Sequence, residues 1–547
     1  MIGAVSYAAR PLRIGLWTAA VVALGVAVAL PEQLQDAGLG VAAAAVGIAA
    51  LIQPLVVFPL LLFAVPFGGL ARGSSGDTST DLSFGAAELL VALLTVTWLA
   101  RGVRRHAINL RASAVALSAL AMVGLAALSI GYALDRSLAI KEALKWLELL
   151  LVLVILVDLV RDARAARWVT GAMFAAAAAE SAYGTVQFLT GSGPSFFELQ
   201  GALRAFGHFD QPNPFAGYLT IVLPLAVCMA LCRANPTPFR WLSVGAAGLI
   251  AVGVGLSQSR GAWLGGGVAA LCLLLAWSGF TRRLLIPCGL AGILLLGLAL
   301  AGLLPASILD RLAQTVEYFG VFDVRSVEVT SENWAIVERM AHWQAGWYMF
   351  LDHPWLGVGA GNYPAAYPDY FVATWREALG HAHNYYLNIL AELGVLGGGV
   401  LLVFVSSAFI RLAGALIRSE GASARPKRES LAGRVGAGVA DRPQLGPAAA
   451  GVDREERGHL TGRTQLPELP PRSALGDSRF AAKKRHDQAF WRAVLAGAFG
   501  GLVVFCVHNL FDSLFVHSVN VQIGVLLGLG LVAAERVTHG PLVAVAR

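Results

Sequence analysis

The stretch ASAVALSALAMVGLAALSIG, residues 112–131, contains no charged residue, and residues 284–304 form a second uncharged stretch. As helices, both are long enough to cross a hydrocarbon core of about 30 Å. Of the 547 residues, 57% are hydrophobic and only 14% are charged, whereas an ordinary soluble chain carries roughly 25% charged residues. The sequence therefore predicts an all-α fold, a polytopic transmembrane helical bundle.

This composition excludes a cytosolic enzyme, a disordered chain and a disulfide scaffold. The net charge of +7 lies in short runs between apolar spans, which is typical of cytoplasmic loops and not of a nucleic-acid binder. The five cysteines lie in apolar stretches without the spacing of a disulfide or metal site. No P-loop or other nucleotide-binding glycine turn is present, so we expect no cofactor.

Hydropathy predicts 12 to 14 membrane helices, the first at residues 14–30, where no cleavage pattern of a signal peptide follows. The predicted spans are 14–30, 39–52, 54–70, 83–100, 112–132, 143–160, 168–190, 214–232, 241–258, 261–278, 284–303, 386–417, 491–509 and 519–536. The predicted regions are N-terminal helices at 1–200, helices with outward polar motifs at 201–303, a helical and irregular extracytoplasmic loop domain at 304–386, a membrane helix at 387–417, a flexible basic cytoplasmic linker at 418–489 and C-terminal helices at 490–547.

Arginines in alternate short loops set the predicted orientation, because cytoplasmic loops are enriched in basic residues. These loops contain Arg101, Arg104, Arg105 and Arg111, then Arg161, Arg164 and Arg167, then Arg233 and Arg240, then Arg282 and Arg283. Residues 304–386, with nine acidic and four basic residues, fall on the outward side. Residues 418–489, with 14 basic and nine acidic residues, fall on the cytoplasmic side.

Two polar clusters lie at predicted outward helix ends. The first contains Arg204, His208 and Asn213, where Asn213 is either a simple N-cap or part of an anion site at the helix start. The second is Ser-Gln-Ser-Arg-Gly at 257–261. Its Arg260 either snorkels to the lipid headgroups or binds an anionic substrate.

The third cluster is His-Ala-His-Asn-Tyr-Tyr-Leu-Asn at 381–388. Histidine exchanges protons near neutral pH, so one of His381 and His383 is a candidate acid or base, although a capping role is the simpler alternative. If both residues lie on one helix, their spacing of two points them to different faces. This spacing argues against a two-histidine metal site.

The order of these motifs resembles the O-antigen ligase and O-antigen polymerase superfamily. The matching elements are Gln-Pro-Asn-Pro-Phe-Ala-Gly-Tyr-Leu at 211–219, Ser-Arg-Gly at 259–261, an outward loop with Arg339 and His-Pro-Trp-Leu-Gly-Val-Gly-Ala-Gly at 353–361, and His-Ala-His-Asn at 381–384 before Glu-Leu-Gly-Val-Leu-Gly at 392–397. Asp210 stands where a form richer in asparagine is expected.

The resemblance implies a metal-independent, inverting membrane glycosyltransferase of the bacterial inner membrane, with its site facing the periplasm. It would move a glycan from an undecaprenyl-diphosphate carrier to a sugar hydroxyl, such as that of a lipid A-core-like acceptor. By this match, His383 is the catalytic base. The substrate-binding residues it implies are Arg260, Arg339, Arg204, Asn213, Asn384 and His508.

Elementary chemistry agrees with these implied roles. Two arginines can neutralise a diphosphate leaving group without a metal, and a histidine can accept the proton of the attacking hydroxyl. Ligase, polymerase and protein O-oligosaccharyltransferase activities share this donor chemistry and stay open. A transporter or flippase would place charges in the middle of spans, where Glu88, Glu148, Asp158 and Glu180 are the few candidates. A structural assembly subunit would not need converging arginines and histidines.

The predicted orientation can be tested by cysteine labelling in a variant whose five native cysteines are replaced. A membrane-impermeant reagent should label a cysteine at Ser331 in intact spheroplasts, because the acidic loop domain lies outside. A cysteine at Ser430 should react only after the membrane is opened. The reverse pattern would show that the orientation is wrong.

Overall fold

The structure is a computed structural model that describes residues 43–68, 85–106, 108, 112–199, 201–277, 283, 285–301, 323–330, 333–437 and 472–539. Its described part is built almost entirely of helices. These are α1 (Ala43–Ile52), α2 (Val57–Phe67), α3 (Ala86–Arg105), α4 (Ala114–Ser129), α5 (Arg136–Leu159), α6 (Ala163–Thr190), α7 (Pro212–Leu231), α8 (Thr237–Leu256), α9 (Arg260–Trp277), α10 (Leu285–Leu300), α11 (Trp334–Asp352), α12 (Tyr363–Ala366), α13 (Tyr385–Ala437), α14 (Arg472–His508) and α15 (Val519–His539).

Strand structure in the described part is limited to one small hairpin between α6 and α7. Strands β1 (Glu198–Leu199) and β2 (Ala202–Leu203) pair antiparallel. Six helices are long and apolar enough to cross a membrane, namely α3, α7, α8, α13, α14 and α15, and α1, α2, α4 and α9 are shorter apolar helices. The predicted all-α membrane bundle is thereby confirmed.

Helices α7, α14 and α15 form the centre of the bundle, where most of each apolar segment is buried by protein. In α3 and α8 only about a third of the apolar segment is buried, which leaves a surface expected to face lipid. Glycines allow the central helices to approach closely. A Cβ on Gly497 would lie 2.5 Å from the Leu225 Cα of α7, so only glycine fits at this crossing.

Most helices begin and end within a few residues of the predicted spans. Helix α5 differs, because it begins at Arg136, seven residues before the predicted 143, where Asp135 caps it by accepting hydrogen bonds from the backbone of Ser137 and Leu138. The apolar run at 39–70 contains Pro54 and Pro59 and is predicted to form either a tight pair of short helices or a single kinked one; its described part is broken at Gln53-Pro54, between α1 and α2. The predicted span 14–30 lies outside the described residues.

The predicted linker, residues 418–489, also differs from a simple loop. Residues 418–437 continue α13 and residues 472–489 begin α14, while 438–471 lie outside the described residues. The structure does not test the boundaries of the six predicted regions, which remain predictions.

The basic residues of the short loops gather at one end of the bundle. Arg161 at the end of α5 pairs with Asp158 at 3.0 Å, and Arg536 at the end of α15 donates a hydrogen bond to the Arg161 carbonyl. The guanidinium of Arg167 lies 5.0 Å from the centre of the Phe490 ring. This end is opposite to the one at which the predicted outward motifs lie.

Replacing Gly497 with alanine should destabilise the bundle, because the added methyl group meets the backbone of α7. Overpacking of this kind typically costs about 1–3 kcal/mol. We expect a lower midpoint of thermal unfolding in detergent. Gly248→Ala is the matched control, since an added Cβ there has no atom within 4 Å. Equal midpoints for the two variants would contradict this packing.

Candidate active site

The candidate site lies where three helix ends and helix α11 meet. It is formed by the end of α14, the turn that follows it, the starts of α9 and α13, and α11. The backbone N–H of Tyr385, the first residue of α13, lies within hydrogen-bonding distance of the Asn509 carbonyl at 2.9 Å and the Asp512 carbonyl at 3.2 Å. These bonds hold the histidine segment before α13 against the turn after α14.

Asp512 is the centre of this arrangement and is buried. Its Oδ1 lies 3.5 Å from His383 Nδ1 and 3.7 Å from His381 Nε2, and it accepts a hydrogen bond from the Ser513 backbone at 2.9 Å. Burial alone would raise the pKa of Asp512. The contacts with His383, His381 and Arg339 outweigh that effect and hold the pKa well below its usual range.

The two histidines do not occupy a helix, which overturns the argument that their spacing points them to different faces. They precede α13, and His383 has a left-handed backbone with a φ of 50°. This bend brings the two rings within 4.5 Å of each other, both facing Asp512. Both nitrogens of the His383 ring are buried, and apart from the 3.5 Å contact of Nδ1 with Asp512 they have no polar partner closer than that in the described part of the chain.

One hydrogen bond fixes the tautomer of His381. Its Nδ1 accepts from the backbone N–H of His383 at 3.1 Å, which leaves Nε2 as the protonated nitrogen of the neutral ring. Burial and the neighbouring His383 lower the pKa of His381 to about 4, against the opposing effect of Asp512. His381 therefore presents an N–H to the Asp512 carboxylate at neutral pH.

His381, His383 and Asp512 also have the chemistry of metal ligands, since their ligand atoms lie within 4.8 Å of one another. A metal on His381 Nε2 would require the proton to move to Nδ1, which would break the hydrogen bond from the His383 backbone. The tautomer thus fits an imidazole–carboxylate contact better than a metal centre.

Helix α11 forms the wall of the site on the side of the loop domain. Trp343 Nε1 donates to the His383 carbonyl at 3.2 Å, and the His342 ring lies edge-on to the His383 ring at 5.4 Å. His342 is buried and its Nδ1 lies 3.0 Å from the Tyr363 hydroxyl. Burial, together with His383 and His381, lowers the pKa of His342 to about 3. His342 is therefore a neutral packing residue at physiological pH.

Arg339 is brought to the same cluster by α11. Its positive charge acts on Asp512, on His381 and on Glu338, the residue before it. Glu338 is half-buried, and burial raises its pKa against the opposing effects of His383 and Arg339. The predicted loop arginine therefore lies beside the predicted histidine.

Arg204 connects the first polar cluster with the second. Its Nε donates to the Ser257 carbonyl at 2.8 Å and its Nη2 donates to Asn213 Oδ1 at 3.1 Å. Asn213 is not the N-cap, because Pro212 starts α7 one residue earlier and Gln211 occupies the cap position. Asn213 instead uses its side chain to hold Arg204.

The start of α9 lies against the end of α14. Arg260 is the first residue of α9 and is exposed, while a Cβ on the next residue, Gly261, would lie 3.5 Å from the buried His508 ring. The close approach that glycine permits here puts the start of α9 at the same end of the bundle as His508. All the predicted site residues therefore gather at one end of the bundle.

Asn384 caps α13, because its Oδ1 accepts a hydrogen bond from the Leu387 backbone at 3.1 Å. Its implied part in substrate binding stays a prediction. The group that faces the imidazole is Asp512, which the sequence analysis did not select. The motif His-Asn-Leu-Phe-Asp at 508–512 contained the signal, since a carboxylate four residues from a predicted site histidine is a natural partner.

A buried carboxylate of α13 anchors the loop domain. Glu392 accepts from the backbone N–H groups of Gly361 at 2.8 Å and Tyr363 at 3.2 Å. Gly394 interrupts the regular helix with a φ of 62°, and a Cβ there would lie 2.3 Å from the carbonyl carbon of Trp355. The Glu-Leu-Gly motif therefore joins the loop at 353–363 to the membrane helices.

Three acids considered for a transport path have separate local partners. Asp158 accepts from Trp98 at 2.9 Å at the basic end. Glu148 accepts from Asn520 at 2.8 Å, and Glu180 binds the His208 ring at 2.8 Å and its backbone at 2.7 Å. Glu180 thus holds the loop that carries Arg204, which is a structural role that sequence reasoning missed.

The assigned protonation states can be measured by NMR on protein with labelled histidine. At pH 6, both His381 and His342 should be neutral, because their lowered pKa values lie at about 4 and about 3. His381 should be the Nε2–H tautomer. His381→Asn and His342→Asn variants provide the assignments. An imidazolium signal from His381 at pH 6 would contradict the described geometry.

Comparison with known proteins agrees with the resemblance noted in the sequence. Residues 245–402 match the family model described as O-antigen ligase. The matched region runs from α8 into α13 and contains Arg260, Arg339 and His383, whereas Asp512 lies beyond it. The curated proteins contain no match to the chain. The region that contains these three residues is therefore similar to the O-antigen ligase family, and the match covers less than a third of the chain.

Proposed function

We propose that this O-antigen ligase-type membrane enzyme transfers a glycan from an undecaprenyl-diphosphate carrier to a sugar hydroxyl at the outer face of the bacterial inner membrane. The observation that carries the proposal is the gathering of Arg204, Arg260 and Arg339 with the buried His383–Asp512 pair at one end of the bundle. That end is opposite to the basic loops, which supports a periplasmic site.

The reaction is a single displacement. The acceptor hydroxyl oxygen attacks the anomeric carbon of the donor while the bond from that carbon to the diphosphate oxygen breaks. Attack opposite to the leaving group inverts the configuration. The hydroxyl proton passes to the His383 ring, and the negative charge that develops on the diphosphate is neutralised by arginine.

His383 is suited to be the base by its contacts on both sides. Nδ1 faces the Asp512 carboxylate at 3.5 Å, which would stabilise the imidazolium as it forms. Nε2 is buried without a hydrogen-bond partner in the described part of the chain, and in this proposal it is the atom that takes the proton of the acceptor hydroxyl. Trp343 fixes the backbone at the His383 carbonyl. No residue in this scheme requires a metal or a nucleotide.

The arginines have complementary positions for the leaving group. Arg260 is exposed at the start of a membrane helix, where a headgroup-level diphosphate arrives from the bilayer. Arg339 approaches from the loop domain, and Arg204 is held in place by Ser257 and Asn213. Guanidinium groups bind phosphate oxygens in pairs and keep their charge at any physiological pH. The matched family description favours a ligase. The acceptor in our proposal is a lipid A-core-like glycan.

Replacing His383 with alanine tests this proposal. Transfer from an undecaprenyl-diphosphate-linked glycan to rough lipopolysaccharide, measured with purified enzyme in proteoliposomes, should fall by roughly 10² to 10⁴, the usual contribution of a general base. Donor binding should be unchanged, because the arginines supply it. Wild-type activity should persist in the presence of a strong chelator.

His353→Ala is the matched control, because His353 lies on the same outward domain with an exposed side chain. This variant should keep wild-type turnover. Near-normal transfer by His383→Ala around neutral pH would contradict the assignment of His383 as the base. Loss of wild-type activity with chelator alone would contradict a metal-free mechanism.

A further inference from the structure

Two tryptophans form an aromatic pair at the outer edge of the loop domain. Trp334, the first residue of α11, and Trp375 have ring centres 5.1 Å apart, with their planes tilted by 58°. The segment that carries Trp375 is fixed, because the Tyr367 hydroxyl donates to the Trp375 carbonyl at 2.8 Å. Trp334 nevertheless remains 48% exposed. Its ring therefore presents an exposed aromatic surface that packs on the fixed Trp375 segment.

Helix α11 connects this pair with the candidate base. Trp334 and Glu338 are one turn apart and lie on the same side of the helix. Nine residues after Trp334, Trp343 donates its indole hydrogen bond to the His383 carbonyl. The helical rise puts Trp334 and Trp343 about 13 Å apart along the axis, on opposite sides of α11. The aromatic pair is connected to Trp343 through Trp375, because Trp375 and Trp343 pack against the same buried cluster, which includes Val337 and Val372.

Carboxylates lie between the aromatic pair and the base. Glu338 is half-buried and within electrostatic reach of His383, Arg339 and Glu377. A carboxylate accepts two hydrogen bonds from neighbouring hydroxyl groups, which is the recognition that a sugar offers. An aromatic face contributes the complementary part, since the C–H face of a pyranose is apolar and stacks on it.

We propose that Trp334, Trp375 and Glu338 form a subsite for a neutral pyranose of the acceptor glycan, adjacent to the sugar whose hydroxyl reacts at His383. This inference rests on the proposed function and names the part of the site that the acceptor occupies. Glu338 and Glu377 disfavour an anionic sugar or lipid headgroup at the pair. The diphosphate of the donor belongs instead with the arginines.

The test compares Trp334→Ala and Trp375→Ala with Trp347→Ala. Trp347 is a matched control, because it lies on the same helix and is 47% exposed, but it pairs with Phe350 away from the cluster. With rough lipopolysaccharide as acceptor, the first two variants should raise the acceptor KM by about 3- to 10-fold, the loss expected for one aromatic stacking contact. The donor KM and the kcat at saturating acceptor should be unchanged, and Trp347→Ala should resemble the wild type.

Binding without turnover separates this inference from the proposed function. Saturation-transfer NMR with a neutral hexose oligosaccharide should show contact in the wild type and in His383→Ala, and weaker contact in Trp334→Ala, Trp375→Ala and Glu338→Gln. Unchanged KM and unchanged NMR contact in all three would overturn the subsite. Equal losses in Trp334→Ala and Trp347→Ala, with weaker membrane association, would also overturn it and identify the tryptophans as interfacial anchors. Full transfer by His383→Ala would count against the proposed function alone.

Discussion

A single buried carboxylate, that of Asp512, constrains the outward end of this protein. Removing an ionised carboxylate from water costs several kcal/mol unless positive or hydrogen-bonding groups surround it. The compensation comes from three parts of the chain that are distant in sequence, namely the segment at 381–383, Arg339 of α11 and the Ser513 backbone. The left-handed backbone of His383 and the hydrogen bonds to Tyr385 N–H follow from the same requirement, because both bring the imidazoles to Asp512.

Two kinds of element carry the candidate site. The apolar helices α9 and α14 carry Arg260 and His508 at their ends. Helix α11, which is not among the candidate membrane spans, carries Arg339 and the aromatic residues. In the proposed reaction, a lipid-linked donor would reach the site from the apolar helices and an acceptor would reach it from the side of α11.

The bundle and the position of the site at one end could be predicted from the sequence, because uncharged stretches and alternating basic loops are local patterns that lipid enforces directly. Arg204, Arg260, Arg339 and His383 could be proposed from the sequence because they belong to motifs, and their roles stay predictions. Asp512 was missed because its partner histidines lie more than 120 residues away in sequence. The relation of His381 to His383 was predicted wrongly because the helix there starts at Tyr385, a boundary that Asn384 determines by capping.

The anchored loop at 353–363 has a consequence for how charge is recognised. A run such as Gly-Val-Gly-Ala-Gly would ordinarily suggest a nest of free backbone N–H groups that cradles a phosphate. Here the backbone N–H groups of residues 357–363 are already used within the protein. Those of Gly359, Gly361 and Tyr363 donate to Glu392. The others donate within the loop or to its neighbours: Gly357 to His353, Val358 to Ala391, Ala360 to Ser129 and Asn362 to Gly359. An anion at this site must therefore be bound by side chains, and recognition that depends on a few guanidinium groups can be lost through a single codon change.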